Sequence, residues 1–230
     1  MKNEEYTIRP IAHIESDLPT KFGLPRQSGL VPQLTSRLVL MPEYREAAAF
    51  KGMEGFSHLW LVWGFSAVEH YTWSPTVKPP RLGGNTKMGV FATRSPFRPN
   101  GLGLSAVKLE RLEPDEALGP VLYVSGADLM DGTPIYDIKP YLPYTDSRPD
   151  ARGGFAEAVL DYSLRVEDPM GLLKAVPADK REALCGLLAQ DPRPAYIDDP
   201  NRRYGFNYLD LDVRFTVADG VLTLVEIVKL

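Results

Sequence analysis

Apolar positions fall in short runs, most of them alternating with polar ones, and long helical periods are rare. Tyr6 to Glu15 alternates and predicts a first strand; Ser36 to Leu40 predicts a second. Between them, Lys21 to Pro32 reads as a loop shaped by Gly23, Pro25, Gly29 and Pro32. Glu43 to Lys51 predicts one short helix closed by Gly52. Phe56 to Phe65 is aromatic and branched, with strong strand character. Alternate side chains of a strand point to opposite faces. Phe56, Trp60 and Val62 then share one face, and Leu59, Leu61, Trp63 and Phe65 the other. Both faces are apolar, so both need cover from a barrel interior, a second layer or a partner subunit.

Ser74 to Asn85 is loop-like. Met88 to Thr93, Leu102 to Leu112, Val121 to Ala127 and Ile135 to Ile138 read as further strands. Strands this short and closely spaced point to an antiparallel barrel or sandwich. The polar stretch Ser147 to Gly154 marks a boundary, giving one domain over residues 1–146 and a smaller one over 147–230. In the second, Phe155 to Val166 reads as a strand and Pro169 to Gln190 as helix, strongest from Ala178, until Asp191-Pro192 ends it. Tyr208 to Val217 and Val221 to Val228 form a hairpin about Ala218-Asp219-Gly220. The expected fold is mainly β, an N-terminal antiparallel β-barrel with a small C-terminal α+β domain.

Composition narrows this picture. The 230 residues are 44% apolar and 24% charged, ordinary globular values that exclude disorder, collagen and coiled coil. With 21 prolines and 19 glycines the chain turns often. Cys185 is the single cysteine, so no intrachain disulfide forms, and a reducing compartment fits. MKNEEYTIRP lacks the apolar core of a secretory signal, and the most apolar run, Phe56 to Val68, is too short to span a membrane. A cytoplasmic protein with no membrane contact is expected.

Several chemistries are missing. No Walker A sequence, Gly-x-Ser-x-Gly elbow or complete dinucleotide fingerprint occurs. The 3 histidines, His13, His58 and His70, lack metal-ligand spacing, and Asp128, Asp131 and Asp137 match no cation loop. No metal is expected.

Charge is segregated. The net charge is −4, yet Lys78 to Leu109 holds six cations and no acid, which leaves the remainder at −10. Such a stretch could face RNA phosphates or pair with acids elsewhere in the fold. Inside it, Gly89 to Ser105 combines Pro96 and Pro99, which stiffen, Gly101 and Gly103, which admit close backbone approach, and Arg94 and Arg98, which suit carboxylate or phosphate. Phe22 to Gln27 is a second Gly/Pro loop. Gly126 to Gly132 offers Asp128 and Asp131 for a hydroxyl or ammonium, or simply a turn. In Asp191-Pro-Arg-Pro-Ala-Tyr196, flanking prolines hold Arg193 extended; Asp191, Arg193 and Tyr196 could contact a polar substrate, or the segment could be a rigid connector.

Together Phe22–Gln27, Gly55–Trp60 (GFSHLW), Pro75–Asn100 with its RLGGN and VFATRSPFRPN runs, Asp128–Tyr141 (DLMDGTPIYDIKPY) and Asp191–Tyr196 resemble the TsaA/TrmO-type tRNA methyltransferases. That family N6-methylates threonylcarbamoyl-adenosine beside the anticodon. The resemblance implies a β-barrel that binds S-adenosylmethionine and works as a homodimer on tRNA. Carried over by motif, it implies cofactor contacts from Pro25, Arg26, Gln27, Arg94, Leu104, Asp128, Leu129, Met130 and Asp131. The family often has His-Gln after the aromatic strand; this chain has Ser66-Ala67, from which backbone contacts are expected. Arg81, Lys87 and Arg98 are candidate RNA contacts within the basic stretch. On the substrate side, Asp191 or Tyr196 is a candidate proton acceptor, and Arg193 a bidentate clamp for the threonyl carboxylate. The competing readings are the same cofactor chemistry on another RNA or small molecule, and a non-catalytic RNA-binding adaptor.

Overall fold

The structure, a computed structural model, describes residues 5–67, 72–79, 82, 85–159, 162–194 and 199–230. Among the described residues, twelve strands run in chain order: β1 Ala12–Glu15, β2 Thr35–Leu40, β3 His58–Gly64, β4 Thr76–Val77, β5 Met88–Gly89, β6 Leu102–Asp115, β7 Gly119–Ser125, β8 Pro134–Pro140, β9 Arg165–Glu167, β10 Tyr204–Tyr208, β11 Leu211–Ala218 and β12 Val221–Lys229. Six of them close into an antiparallel barrel in the order β1-β2-β7-β6-β3-β8. β3 sits between β6 and β8, with Leu59 and Leu61 buried in the barrel core beside Ile14, Leu38, Leu122 and Ile135. Its opposite face carries Trp60 and Val62, both half-buried. The aromatic strand is therefore buried through Leu59 and Leu61 on its barrel face and only half-covered on the other.

β1 is shorter than its alternating sequence suggests. Its pairing with β2 starts at Ala12 opposite Leu40, and residues 5–10 are exposed with no strand beside them. Glu43 to Lys51 forms two 3₁₀ turns, Pro42–Tyr44 and Ala47–Phe50, because Glu46 between them is extended. Met88 to Thr93 is not one strand: β5 pairs only with β4, and Val90–Ala92 turns as a 3₁₀ helix whose end the Thr93 N–H and hydroxyl close by donating to the Val90 carbonyl.

The C-terminal sheet has the order β10-β11-β12-β9, with β9 parallel to β12. Phe155 to Val166 is mostly not strand. Gly154–Val159 is a 3₁₀ helix, and β12 offers β9 only Val221 to Thr223 as partners. Within the predicted long helix, Pro177 lacks a backbone donor and Val176 before it is extended. The segment splits into 3₁₀ turns at Leu172–Ala175 and Ala178–Lys180 and a helix at Arg181–Ala189 that buries Leu184, Leu187 and Leu188. Tyr208 closes β10 instead of opening β11, because the chain reverses through Leu209 at φ 54. The β11–β12 hairpin turns on Asp219 at φ 50 and Gly220 at φ 75, the type I′ geometry that Asp-Gly favours.

The second core gathers Phe206, Tyr208, Phe215 and the helix leucines, and it also takes Leu18, Val31 and Leu34 from the β1–β2 connection. Asp17 adds polar ties there. It accepts from Lys180 Nζ at 2.6 Å, and its carbonyl accepts the Leu209 N–H at 2.8 Å. No described helix is long and apolar enough to cross a membrane.

Candidate functional site

Neighbouring strands of the barrel are antiparallel, so the β1–β2, β3–β6 and β7–β8 connections all leave from one end. These connections carry the Gly/Pro/Arg motifs, and there they surround a cavity of about 620 Å³. That size falls within the range of small-molecule sites.

The cavity brings together residues far apart in sequence. Pro25, Arg26 and Gln27 enter from the β1–β2 connection, Ser66 and Ala67 from the end of β3, Arg94 from the following loop, Leu104 from the start of β6, and Asp128, Leu129 and Met130 from the β7–β8 connection. Asp131 departs from the sequence expectation. It does not line the cavity; its carboxylate accepts the Ser16 N–H at 3.0 Å and its own N–H donates to Leu18, so it serves the turn. Trp60, Trp63, Phe65 and Phe97 add aromatic surface that the motifs alone did not single out.

Charge in the cavity is lopsided. Lys21, Arg26, Arg94 and Arg98 line it, against Asp128 as the one acid among the described lining residues. Arg94 Nη1 donates to Gln27 Oε1, which ties two motif loops together. Arg98 is turned inward on its own loop: Nη1 donates to the Thr93 carbonyl at 2.7 Å and the Val90 carbonyl at 3.2 Å. Nη1 thus braces the loop that carries Arg98. Lys87 is exposed, and Arg81 lies outside the described residues.

A relay of hydrogen bonds underlies the cavity floor. Trp63 Nε1 donates to Ser105 Oγ at 3.0 Å, and Ser105 Oγ donates to Asp128 Oδ1 at 2.6 Å. Burial pushes the Asp128 carboxyl above its ordinary pKa, while Ser105 and the nearby Arg94 pull the other way without overcoming it. A carboxyl whose pKa rises on folding binds more protons folded than unfolded, so its contribution to stability falls as pH rises through that range. Asp128→Asn keeps an acceptor for Ser105 and removes the buried charge. The variant is expected to melt roughly 2–4 °C higher than the wild type at neutral pH, the shift about 1 kcal/mol makes in a chain this long. The gap should close on acidification. Equal melting temperatures across the pH range would remove the buried-charge account.

Asp191 and Arg193 stand beside this cavity but face each other. Arg193 Nε donates to Asp191 Oδ1 at 2.8 Å and Nη2 to Oδ2 at 2.9 Å, and both side chains are about nine-tenths buried. Tyr162 donates its hydroxyl to Asp191 Oδ2 at 2.7 Å. Burial pushes the Asp191 carboxyl up, but the Arg193 and Tyr162 bonds outweigh it and hold it below the usual carboxylate range. A carboxylate so held is a poor proton acceptor, and a fork so filled is not waiting for a substrate carboxylate. In this arrangement the carboxylate and the guanidinium expected on the substrate side are engaged with each other. Tyr196 lies outside the described residues. Asp191 follows the last helix at φ 54, in the left-handed conformation more often left to glycine. Its carbonyl accepts from Arg26 Nη2 at 3.0 Å, which links the Asp191–Pro194 segment to the cavity wall. Tyr162 was missed in the sequence; nothing in its spacing ties it to Asp191.

Among the described residues, no group of three His, Cys, Asp or Glu side chains is placed to hold a metal ion.

Comparison with known proteins adds to this geometry. Residues 13–147 match the tRNA-methyltransferase O N-terminal domain, and residues 159–230 match the TrmO C-terminal domain. The chain is 40% identical over 223 residues to the tRNA (adenine(37)-N6)-methyltransferase of Escherichia coli K12, covering 94% of each. It is 42% identical over 219 residues to a putative S-adenosylmethionine-dependent methyltransferase, RcsF, of Pseudomonas aeruginosa, covering 91% of this chain and 92% of that one. Among solved structures, TrmO from Pseudomonas aeruginosa superposes with a TM-score of 0.79 at 34% identity, over 98% of this chain and 100% of that one.

Proposed function

Since the chain belongs to the tRNA-methyltransferase O family, we propose that it is an S-adenosylmethionine-dependent enzyme that methylates N6 of the adenine beside the tRNA anticodon. The acceptor in this reading is the threonylcarbamoyl form of that adenosine, and the setting is cytoplasmic. The observation that carries the proposal is the cavity at the barrel end, where the motif loops converge.

The donor set fits the cofactor. An amino-acid end needs both signs of charge, which Asp128 and the guanidinium groups of Arg26 and Arg94 supply. The rings of Trp63, Phe65 and Phe97 suit a flat heterocycle, and Gly103 lets the backbone lie close against Trp63. When bound, the cofactor supplies an activated sulfonium methyl.

The chain's task is then to align the acceptor nitrogen and keep water away. The loops around Arg94 and Gln27, tied to each other, shape the cavity wall. Arg26 connects that wall to the Asp191–Arg193 pair, so the acceptor side is held in register with the cofactor side.

The same reading includes a two-fold homodimer. Phe97, Leu102 and Leu104 stand at the cavity with exposures of 41%, 38% and 53%, more apolar surface than a small-molecule rim needs. Leu102 and Leu104 project from the same face of β6, next to β3.

The test is methyl transfer to two synthetic anticodon stem-loops, one with plain adenosine and one with the threonylcarbamoyl form, read by nucleoside mass spectrometry. One methyl gained on the modified loop, and far less on the plain one, is the expected result. Equal transfer to both would overturn the acceptor assignment, and transfer to neither would overturn the enzyme reading. On the same preparation, light scattering should give twice the 25.6 kDa chain mass, and Leu104→Glu should give a monomer. A wild-type monomer at micromolar concentration would remove the dimer.

A further inference from the structure

The basic stretch legible in the sequence does not present all its cations outward, since Arg98 donates from Nη1 to carbonyls of its own loop. A second collection of RNA-suited groups lies elsewhere, over β10. There Phe22 is 58% exposed although its neighbours Gly23 and Pro25 are buried. Gly23 explains this arrangement. At φ +85 its backbone closes on Phe206 so tightly that a Cβ would lie 2.2 Å from the ring. Leu24 packs against the C-terminal core. The loop is thus pinned on one side of Phe22, and the ring is held out in water by a fixed backbone.

One cation stands by that ring, and a second lies along the strand beneath the loop. Lys21 Nζ stands 5.7 Å from the Phe22 centroid and also lines the cavity. Arg202 is exposed, with its guanidinium 5.5 Å from the centroid of Tyr204. Tyr204 and Phe206 are two residues apart on β10, a rise of about 7 Å, so Gly23 and Arg202 close on the same strand at nearly the spacing of neighbouring nucleotides. Among the described acids of the neighbouring segments, Asp191 is paired with Arg193, and Asp199 accepts the Asn201 N–H through Oδ1 at 3.0 Å.

An exposed ring with one cation beside it and a second along the same strand matches a single-stranded nucleotide, whose base stacks and whose phosphates carry charge. We propose that Lys21, Phe22 and Arg202 form a nucleotide-binding subsite beside the cavity: a base neighbouring the target adenine stacks on Phe22, and the flanking phosphates lie on Lys21 and Arg202. The inference rests on the tRNA reading above and names the surface by which that RNA is held.

The experiment compares wild type, Phe22→Ala, Phe22→Trp and Arg202→Gln in steady-state methylation of the modified anticodon stem-loop, with cofactor affinity by calorimetry and melting on the same preparations. Phe22→Ala should raise KM for the RNA roughly 5- to 150-fold, the loss of one base stack, with cofactor affinity and melting unchanged. Phe22→Trp should restore KM, because the larger ring also stacks. Arg202→Gln should lower the slope of log affinity against log salt by about 0.7, one single-strand phosphate contact. Wild-type KM in Phe22→Ala, or failure of Phe22→Trp to restore it, overturns the stacking role. An unchanged salt slope in Arg202→Gln overturns the phosphate role. If the wild type methylates the loop while these variants match it, the subsite alone fails. If the wild type neither binds nor methylates RNA, the subsite and the tRNA reading fail together.

Discussion

Arg193→Ala should lower the stability of the protein by about 3–5 kcal/mol, the cost of leaving a buried carboxylate without its partner. Arg193 fills both oxygens of Asp191, and the two side chains are only 11% and 9% exposed. The Tyr162 hydroxyl and the backbone N–H of residue 193 supply further hydrogen bonds to it, too little to carry the charge alone. Arg193→Lys should recover part of the loss, since an ammonium restores charge without the planar fork. The pH dependence identifies the cause. The Asp191 carboxyl is held below its ordinary pKa, so the stability it contributes is present above its unfolded pKa and is lost as pH falls through the folded one. The gap between wild type and Arg193→Ala should therefore narrow in acid. Denaturant unfolding at several pH values measures this. A loss under 1 kcal/mol, or one that does not change with pH, would show that the pair is not what holds the segment.

Gly103→Ala should cost about 1–3 kcal/mol in overpacking and weaken cofactor binding at least tenfold. The added Cβ would fall 2.2 Å from Cε2 of the Trp63 ring, and an indole cannot yield by rotating one bond. Trp63 must move as a body. In doing so it withdraws Nε1 from Ser105, which in turn positions its own hydroxyl against Asp128. One methyl group thus reaches the single described acid of the cavity through two hydrogen bonds. Gly89→Ala is the control, because a Cβ there meets open space. Calorimetry with S-adenosylmethionine on both variants decides the matter. Equal affinities would show that Trp63 does not shape the site.

The barrel strands were legible because short runs of branched and aromatic residues recur between turn signals. In β1 the alternation also reports an inside and an outside directly, with Ala12 and Ile14 buried and His13 and Glu15 only partly so. Segments went unread where a local event overrode the pattern. Pro177 broke a helix whose apolar spacing continues past it. Leu209 reversed the chain in a conformation leucine rarely adopts, so Tyr208 read as the start of β11 although it closes β10. β9 depends on three positions at the end of β12, and no sequence of its own announces that partner.

At the site, the residues legible in advance are those on loops rich in glycine, proline and arginine, since such loops must be shaped for something. Their convergence on one cavity follows from antiparallel connectivity. What a motif does not show is which partner takes each side chain. Arg193 looked like a donor awaiting a substrate, yet the carboxylate two residues before it fills the fork. Arg98 looked like a phosphate contact, yet backbone carbonyls nearby claim it. Tyr162 and Ser105 owe their places to folding over 29 and 23 residues, respectively, and no spacing rule predicts that.

Leu18, Val31 and Leu34 have a consequence for how this chain is inherited and cut. The residues matched by the C-terminal family domain do not own a complete interior, because three of the side chains that seal it arrive from the β1–β2 connection. The barrel lends the smaller unit part of its hydrophobic seal. A gene truncated after the barrel would leave those leucines and the valine bare to water, and a fragment of the tail alone would be unsealed where they belong. The two units are therefore joined as a plug is to a socket, even though the exposed linker at 147–153 would be easy to sever.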